Sequence, residues 1–409
     1  MSADGVTLAP VRLSRRVEGV VGGGADGWEI YYMSRAMIAE GKRVTQLTIG
    51  DHDVPPHGRL LDALCDSARG GHTGYTPVEG VRALREAIAA RVTARTAVPA
   101  GVDNVAVSAG GQAGLFAAMM AVMDPGESCV VLDPYYATYA QTVRAAGGRA
   151  IPVACPAEGG FQPNAAAIEA ALEPDTRAIL INTPNNPTGA VYTPEALTAL
   201  AELCQRRGLW LISDEVYDSQ VWEGSHLSPR DLPAMADRVI VVNSASKALG
   251  VTGFRLGWAV APEPVAARLW DLAIATSYGL PGFVQDAVLA GLAADCPAEA
   301  EIVTRYRTRR AAGLAALAAA GGPIRVSPPQ GGMYLLLDVR ATGLSGTGFA
   351  TRLLEETGIA VMPGESFGEA AAGHVRVALT VPEEPLTEAL GRLARFAADL
   401  SAQTLPQPA

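Results

Sequence analysis

Residues 178–217 read AILINTPNNPTGAVYTPEALTALAELCQRRGLWLISDEVY. An apolar run over 178–182 ends on Asn182, a turn rich in Asn, Pro and Gly follows, 194–207 has helical period, and a second apolar run over 210–213 leads to Asp214. Strand, turn, helix and strand in this order make a β-α-β unit, and near-continuous apolar strands joined by a helix belong to a parallel sheet covered on both faces. The same alternation extends outward. Strands are expected over 105–107, 129–132, 149–153 and 239–243, and helices over 112–123, 137–146 and 164–172. The fold class is therefore α/β, a mostly parallel sheet flanked by helices. The flanks differ: residues 1–58 read as irregular and Gly/Pro-marked, and after Pro297 a charged helix over 298–320 leads into GGMYLLLD at 331–338. A large domain over 59–296 and a smaller α+β domain assembled from 1–58 and 297–409 are expected.

The 409 residues include 44 glycines and 28 prolines with only 18% charged residues, a large and loop-rich globular composition. Lys and Arg number 32 against 42 acids, a net charge of −10 without a basic cluster, which argues against nucleic-acid and acidic-membrane partners. Cys65, Cys129, Cys155, Cys204 and Cys296 are scattered and lack a C-x-x-C pair, pointing to a reducing compartment. The opening MSADGVTLAPVRLSRR places an acid before its short apolar stretch and bases after it, the reverse of a signal peptide. The longest apolar runs, 113–123 and 311–320, are too short to cross a bilayer. A cytoplasmic protein is expected. His52, His57, His72, His226 and His374 show no metal-ligand spacing, so no metal is expected.

Ligands of parallel α/β sheets bind beyond the carboxyl ends of the strands. Reading each expected strand to its end gives Ser108-Ala-Gly-Gly-Gln112, Asp133-Pro-Tyr-Tyr136, the Asn182–Gly189 turn, Ser213-Asp-Glu-Val-Tyr217 and Asn243-Ser-Ala-Ser-Lys247, five polar clusters on one edge. A lysine at a strand end among apolar residues has its ammonium form disfavoured and suits Schiff-base chemistry; Lys247 alone would sooner read as a solvated loop residue, and the clusters around it reverse that preference. Arg255, eight residues on, offers a planar fork to a phosphate, and Ser244 a hydroxyl. Asp214 at a buried strand end calls for a cationic partner. A protonated pyridine nitrogen would be one, and the ring would then be an electron sink; a helix cap or local salt bridge would satisfy the same carboxylate. Tyr217 and Asn186 could donate to a ring oxygen, and the Asn-Pro-Gly turn is also ordinary turn chemistry. Backbone amides of Gly111 and Gln112 open a helix and can receive a phosphate. Tyr136 is placed to stack on a flat ring. AGGQAG at 109–114 misses the dinucleotide fingerprint only at its first glycine, with Asp133 where a ribose-binding acid would stand, so an NAD-dependent dehydrogenase is a competing class. It leaves Lys247, Asp214, Asn186 and Arg255 without a task.

Asn186-Pro-Thr-Gly189, Asp214-x-x-Tyr217, Ser244-x-Ser-Lys247 with Arg255, and His374-Val-Arg-Val-Ala-Leu379 together resemble the class I and II aminotransferases of the fold-type I pyridoxal-phosphate enzymes. The resemblance runs from about Trp28 to Arg395. It implies pyridoxal 5'-phosphate as cofactor, with Lys247 holding its aldehyde and then shuttling a proton at the substrate α-carbon. Asp214 would pair with the ring nitrogen, Asn186 and Tyr217 with the ring oxygen, and Tyr136 would stack on the ring. Gly111, Gln112, Ser244 and Arg255 would hold the phosphate, joined by Tyr75 from the other subunit of a homodimer. Arg376 would clamp the substrate carboxylate, helped by Asn186 and the backbone at Gly50.

Two departures bear on specificity. Many members read Gly-Glu-Pro-Asp where this chain has Gly50-Asp-His-Asp53, and the branch that handles aspartate through a lysine in the glycine turn has that lysine where this chain has Gln112. WEIYY at 28–32, LPAMAD at 232–237, Tyr278-Gly with FVQD at 283–286, and GESFG at 364–368 are similar to an arginine:pyruvate aminotransferase branch. A basic donor would need a carboxylate at its far end, for which Asp51, Asp53 and Glu29 are candidates. The expected activity is amino-group transfer from an L-amino acid to a 2-oxo acid by a ping-pong mechanism, with arginine and pyruvate as one pairing. A carbon–sulfur β-lyase, sharing nearly all these residues, is the alternative within the cofactor class.

Overall fold

The structure, a computed structural model, describes residues 11–22 and 27–404. The first ten residues of the opening segment discussed above therefore lie outside the described residues.

Two sheets organise the chain. The larger has seven strands in the order β2 (Val105–Ser108), β8 (Gly257–Val260), β7 (Val239–Ser244), β6 (Trp210–Asp214), β5 (Thr176–Asn182), β3 (Ser128–Asp133) and β4 (Arg149–Ala154). Strands β7, β6, β5, β3 and β4 pair in parallel, and β8 runs antiparallel to both β2 and β7. Two antiparallel steps return β2 to the common direction, so the ends of all six parallel strands lie on one side. Alternation along β7 shows why these apolar runs became central strands. Val239 and Val241 enter one hydrophobic cluster while Ile240 and Val242 enter another on the opposite face, the two-residue period of a sheet buried on both sides.

The second sheet has the order β1 (Thr45–Leu47), β11 (Ile359–Pro363), β12 (His374–Ala378), β10 (Tyr334–Asp338) and β9 (Arg325–Val326). Its faces are covered by the helices Ala298–Ala320, Gly346–Thr357 and Glu383–Thr404, among others, around Leu335, Leu353, Val377 and Leu390. The N-terminal flank is not irregular, as its composition suggests. Glu29–Ala39 is a helix and Thr45–Leu47 pairs in parallel with β11, Leu47 opposite Val361, both fully buried. The helix Ala298–Ala320 takes up the alanine-rich run 311–320, and 113–122 lies in the helix Gly110–Val122. Among the described residues no helix is long and apolar enough to cross a membrane.

Candidate active site

The strand ends of the large sheet open into a cleft of about 520 Å³ bordered by Tyr334 and Arg376 of the small sheet. Gly50, Gly111, Gln112, Tyr136, Asn186, Asp214, Tyr217, Ser244, Lys247, Arg255 and Arg376 all line it. Every site residue expected from the sequence except Tyr75 thus meets in one place. Tyr75 does not line the cleft of its own chain: it is 90% exposed, its ring edge-on to Tyr278 at 5.3 Å.

Asp214 closes β6 and is buried at the cleft floor. Its Oδ2 accepts from the Tyr139 hydroxyl at 2.6 Å and its Oδ1 from the Val216 amide at 3.2 Å. Among the described residues none forms an ion pair with it, so the expected cationic partner is not supplied by the chain. Burial accordingly pushes the Asp214 carboxyl up to about 6, with the charge of Glu215 adding to the rise against the two hydrogen bonds and Lys247. A buried carboxylate held by two donors but no cation fits a cationic ring nitrogen.

Lys247 stands on the short helix Ala245–Ala248, capped by Ser244, whose Oγ accepts from the Ser246 amide at 3.0 Å. Its Nζ donates to the Gly50 carbonyl at 2.5 Å. A Cβ at Gly50 would fall 2.0 Å from the Tyr334 hydroxyl, so only glycine lets this backbone pass. The helix Gly110–Val122 begins at the cleft with its first amides free of helical partners. Arg255 reaches over that start from a left-handed backbone, φ 51°, and an added Cβ at Gly110 would meet its Nη2 at 2.4 Å. A helix N-terminus, an arginine and the Ser244 hydroxyl make an anion cradle.

Arg376 on β12 is buried, its guanidinium lying 4.3 Å from the Tyr334 ring centroid and 4.4 Å from that of Phe367. Nη1 donates to Asn186 Oδ1 at 2.9 Å and Nη2 to the Thr48 carbonyl. Burial pulls its pKa below the ordinary value, and the three tyrosines around it resist. These two bonds leave most of its five N–H donors for an anion. Tyr217, meanwhile, is 3.2 Å from the Tyr334 hydroxyl.

The far-end candidates separate. Asp53 is already taken, its carboxylate held in a fork by Arg309 at 2.9 and 2.7 Å, which the sequence could not show because Arg309 is 256 positions away. Glu29 is exposed and does not line the cleft. Asp51 does line it; its Oδ1 accepts from Thr252 Oγ1 at 2.5 Å and from the His52 amide at 3.0 Å, and its Oδ2 accepts from nothing among the described residues. The Gln112 side chain is turned away from service as a ligand, donating to Thr142 Oγ1 at 2.6 Å and accepting from Thr138 Oγ1 at 2.9 Å. His52, the departure from the family pattern, is held neutral: burial and the Lys247 charge lower it to about 4.

Tyr139 and Asn182 were not legible as site residues. Asn182 donates to the Asp214 carbonyl at 3.0 Å and accepts from the Asn186 amide at 2.7 Å, fixing the turn to the strand. Asp133, the candidate ribose acid, instead accepts from the Glu369 and Ala370 amides at 2.9 and 3.2 Å. It clasps the small sheet's loop, so the dinucleotide alternative loses its acid.

Residues 42–393 match the family model for aminotransferase class I and II. An arginine–pyruvate transaminase of Pseudomonas aeruginosa is 40% identical over 393 residues, 96% of this chain and 100% of that protein. An aspartate/prephenate aminotransferase of Thermus thermophilus is 36% identical, covering 87% of this chain and 91% of that one. The solved aspartate aminotransferase from Thermus thermophilus with maleate superposes with a TM-score of 0.88 at 33% identity, over 94% of this chain and 100% of that one. With that match spanning both sheets and the cleft between them, the chain belongs to the class I and II aminotransferases, enzymes that move an amino group between amino acids and 2-oxo acids.

Proposed function

We propose that the enzyme works with pyridoxal 5'-phosphate and takes its amino group from an amino acid whose far end is cationic, arginine foremost, passing it to a short 2-oxo acid such as pyruvate. The cofactor reading is carried by the buried, ion-pair-free Asp214 opposite Lys247, with the anion cradle of Gly110, Gly111, Ser244 and Arg255 at the other end of one cleft. When bound, the cofactor supplies an electron sink for the electrons released at the substrate α-carbon. Asp214, its carboxylate aimed by Tyr139 and the Val216 amide, would accept from the ring nitrogen. Asn186 and Tyr217 would donate to the ring oxygen, and Tyr136 would pack against the ring. Arg376 would take the α-carboxylate, and Lys247 Nζ would hold and move the proton at the substrate α-carbon. Tyr75, exposed on its own chain, would complete the phosphate site of a partner subunit in a homodimer.

The donor reading is supported by what the cleft offers beyond Arg376. Gln112 is neutral and spent on two threonines, so a second substrate carboxylate gains no cation there. Asp51 presents a carboxylate with one uncommitted oxygen at the rim. The name of the Pseudomonas relative points the same way. Half-reaction rates for arginine, alanine and aspartate test it. Arginine should lead, and Asp51→Asn should lower kcat/KM for arginine by about tenfold while leaving alanine within about twofold. Aspartate as the preferred donor, or equal losses for arginine and alanine, overturns the reading. Ammonia release from the donor without any 2-oxo acid would favour the β-lyase alternative.

Arg376→Lys offers a further check on the carboxylate clamp. Lysine cannot span Asn186 and Thr48 while forking a carboxylate, so kcat/KM should fall about 10²- to 10³-fold for every donor, mostly through KM. A loss confined to one donor would move the clamp elsewhere.

A further inference from the structure

We propose that the buried Glu215–His226 pair is an electrostatic positioning device for Asp214, fixing from behind the strand how strongly Asp214 holds the ring nitrogen. The inference rests on the cofactor reading above. Successive residues at the end of β6 face opposite sides of the sheet. Ile212 and Asp214 look toward the face that carries Leu115, Met119 and Tyr139, where Tyr139 meets Asp214, while Leu211, Ser213 and Glu215 look toward the opposite face. The Glu215 amide continues the ladder by donating to the Val242 carbonyl at 2.8 Å, so the turn is rigid at this point.

Glu215 is 4% exposed and fully engaged. Its Oε1 accepts from Ser213 Oγ at 2.9 Å and Ser228 Oγ at 2.8 Å, and its Oε2 faces His226 Nε2 at 3.0 Å. Two buried carboxylates on adjacent residues repel, and one of them needs a counter-charge. His226 provides it: burial works against the imidazolium, but the charge and hydrogen bond of Glu215, with Asp218 behind, raise His226 above its ordinary value. His226 Nδ1 is buried without a partner among the described residues and borders a second cavity of about 570 Å³.

Of the other charges around the pair, two arginines are paired with acids, whereas Arg230 is in no ion pair among the described residues and lies in the field of Glu215. Arg91 and Arg95 bind Asp218 and Glu299 at 2.6 to 3.2 Å. Arg230 spends its guanidinium on the carbonyls of Val98 and Pro99, with Asp231 beside it bound to the Ala97 amide. Glu215 therefore bears on Asp214 directly, with Lys247 opposing it from the cleft, and His226 acts on Asp214 by offsetting Glu215, so the two members of the pair act with opposite sign. Neither lines the cofactor cleft, so the role is positioning.

The test is a pH titration of the visible absorbance of the cofactor-loaded protein, with cofactor Kd and the melting temperature of the cofactor-free protein measured alongside. Glu215→Gln keeps the shape and most hydrogen bonds but removes a negative charge, and should move the midpoint down by about half a pH unit or more. His226→Gln removes the positive charge and should move it up by a similar amount. The double variant should return to near the parent value. Shifts in one direction for both variants, or unmoved midpoints with only lower melting temperatures, make the pair merely structural and overturn the proposal. Because Glu215→Gln is nearly isosteric, its direction alone decides if His226→Gln fails to fold. If the parent protein takes up no pyridoxal phosphate at all, the cofactor reading falls, and the inference with it; a loaded parent with unmoved variants sinks the inference alone.

Discussion

Lys247→Ala should abolish transamination, with turnover falling by about 10⁴-fold or more, while the protein keeps its fold. The side chain is half-buried at the cleft, where Nζ donates to the Gly50 carbonyl. The short helix that carries it is held by Ser244, Ala245 and the strand β7, none of which depends on the ammonium group. Truncation at the β-carbon thus removes little packing and leaves no buried donor unpaired, so melting temperature should change by only a few degrees. What is lost is the group proposed both to hold the cofactor aldehyde and to move the proton, two tasks for which no other amine among the described residues lines the cleft. The measurement is single-turnover kinetics with the best donor, read with the visible spectrum of the loaded protein. The cofactor should still bind through Asp214, Arg255 and the helix start, with its colour altered, and small primary amines added to the buffer should restore part of the rate. Turnover near that of the parent would remove Lys247 from the mechanism.

Much of this site is legible from local sequence because each cluster ends a strand that announces itself. Ala178–Asn182, Trp210–Asp214 and Val239–Ser244 are apolar runs too continuous for any surface strand, and a parallel sheet brings their ends to one edge. What escapes notice depends on partners far along the chain. Tyr139 lies one helical turn beyond Tyr136 and looks like core, and nothing nearby indicates that its hydroxyl meets Asp214, 75 residues away. Asp53 reads like a free acid until Arg309 reaches it from the helix Ala298–Ala320. β8 is four residues, Gly-Trp-Ala-Val, buried inside the loop that follows Lys247, and its antiparallel course is set by pairing with β2 and β7 rather than by its own pattern. The helix Glu29–Ala39 is obscured by the glycines before it, although Ile30 and Ser34, four apart, face inward as a helical stripe requires.

Asp214→Asn should have opposite effects on the loaded and the cofactor-free protein. In the loaded enzyme the loss of the carboxylate at the cleft floor should weaken cofactor retention and lower turnover by about 10³-fold or more, since under the proposed reading nothing would then hold a proton on the ring nitrogen. In the cofactor-free protein the same carboxylate is a burden. Its pKa is pushed up to about 6 by burial, against an ordinary value of 3.8. The folded state therefore holds the Asp214 proton more tightly than the unfolded chain does. The contribution of Asp214 to stability is therefore most favourable below about pH 4, declines as pH rises from about 4 to 6, and above that range is a deficit of about 3 kcal/mol. Asparagine has no charge to bury. The variant should gain on the parent as pH rises through that window and hold a constant advantage above it, on top of a pH-independent offset because the amide has one accepting oxygen and leaves either the Tyr139 hydroxyl or the Val216 amide without its acceptor. Urea melts of both cofactor-free proteins at pH 4.5 and pH 8 separate the two contributions, because only the charge varies with pH. A difference that is the same at both values would mean that Asp214 is already neutralised by the chain. A ring cation would then have nothing to complete, and the reason for placing it there would be gone.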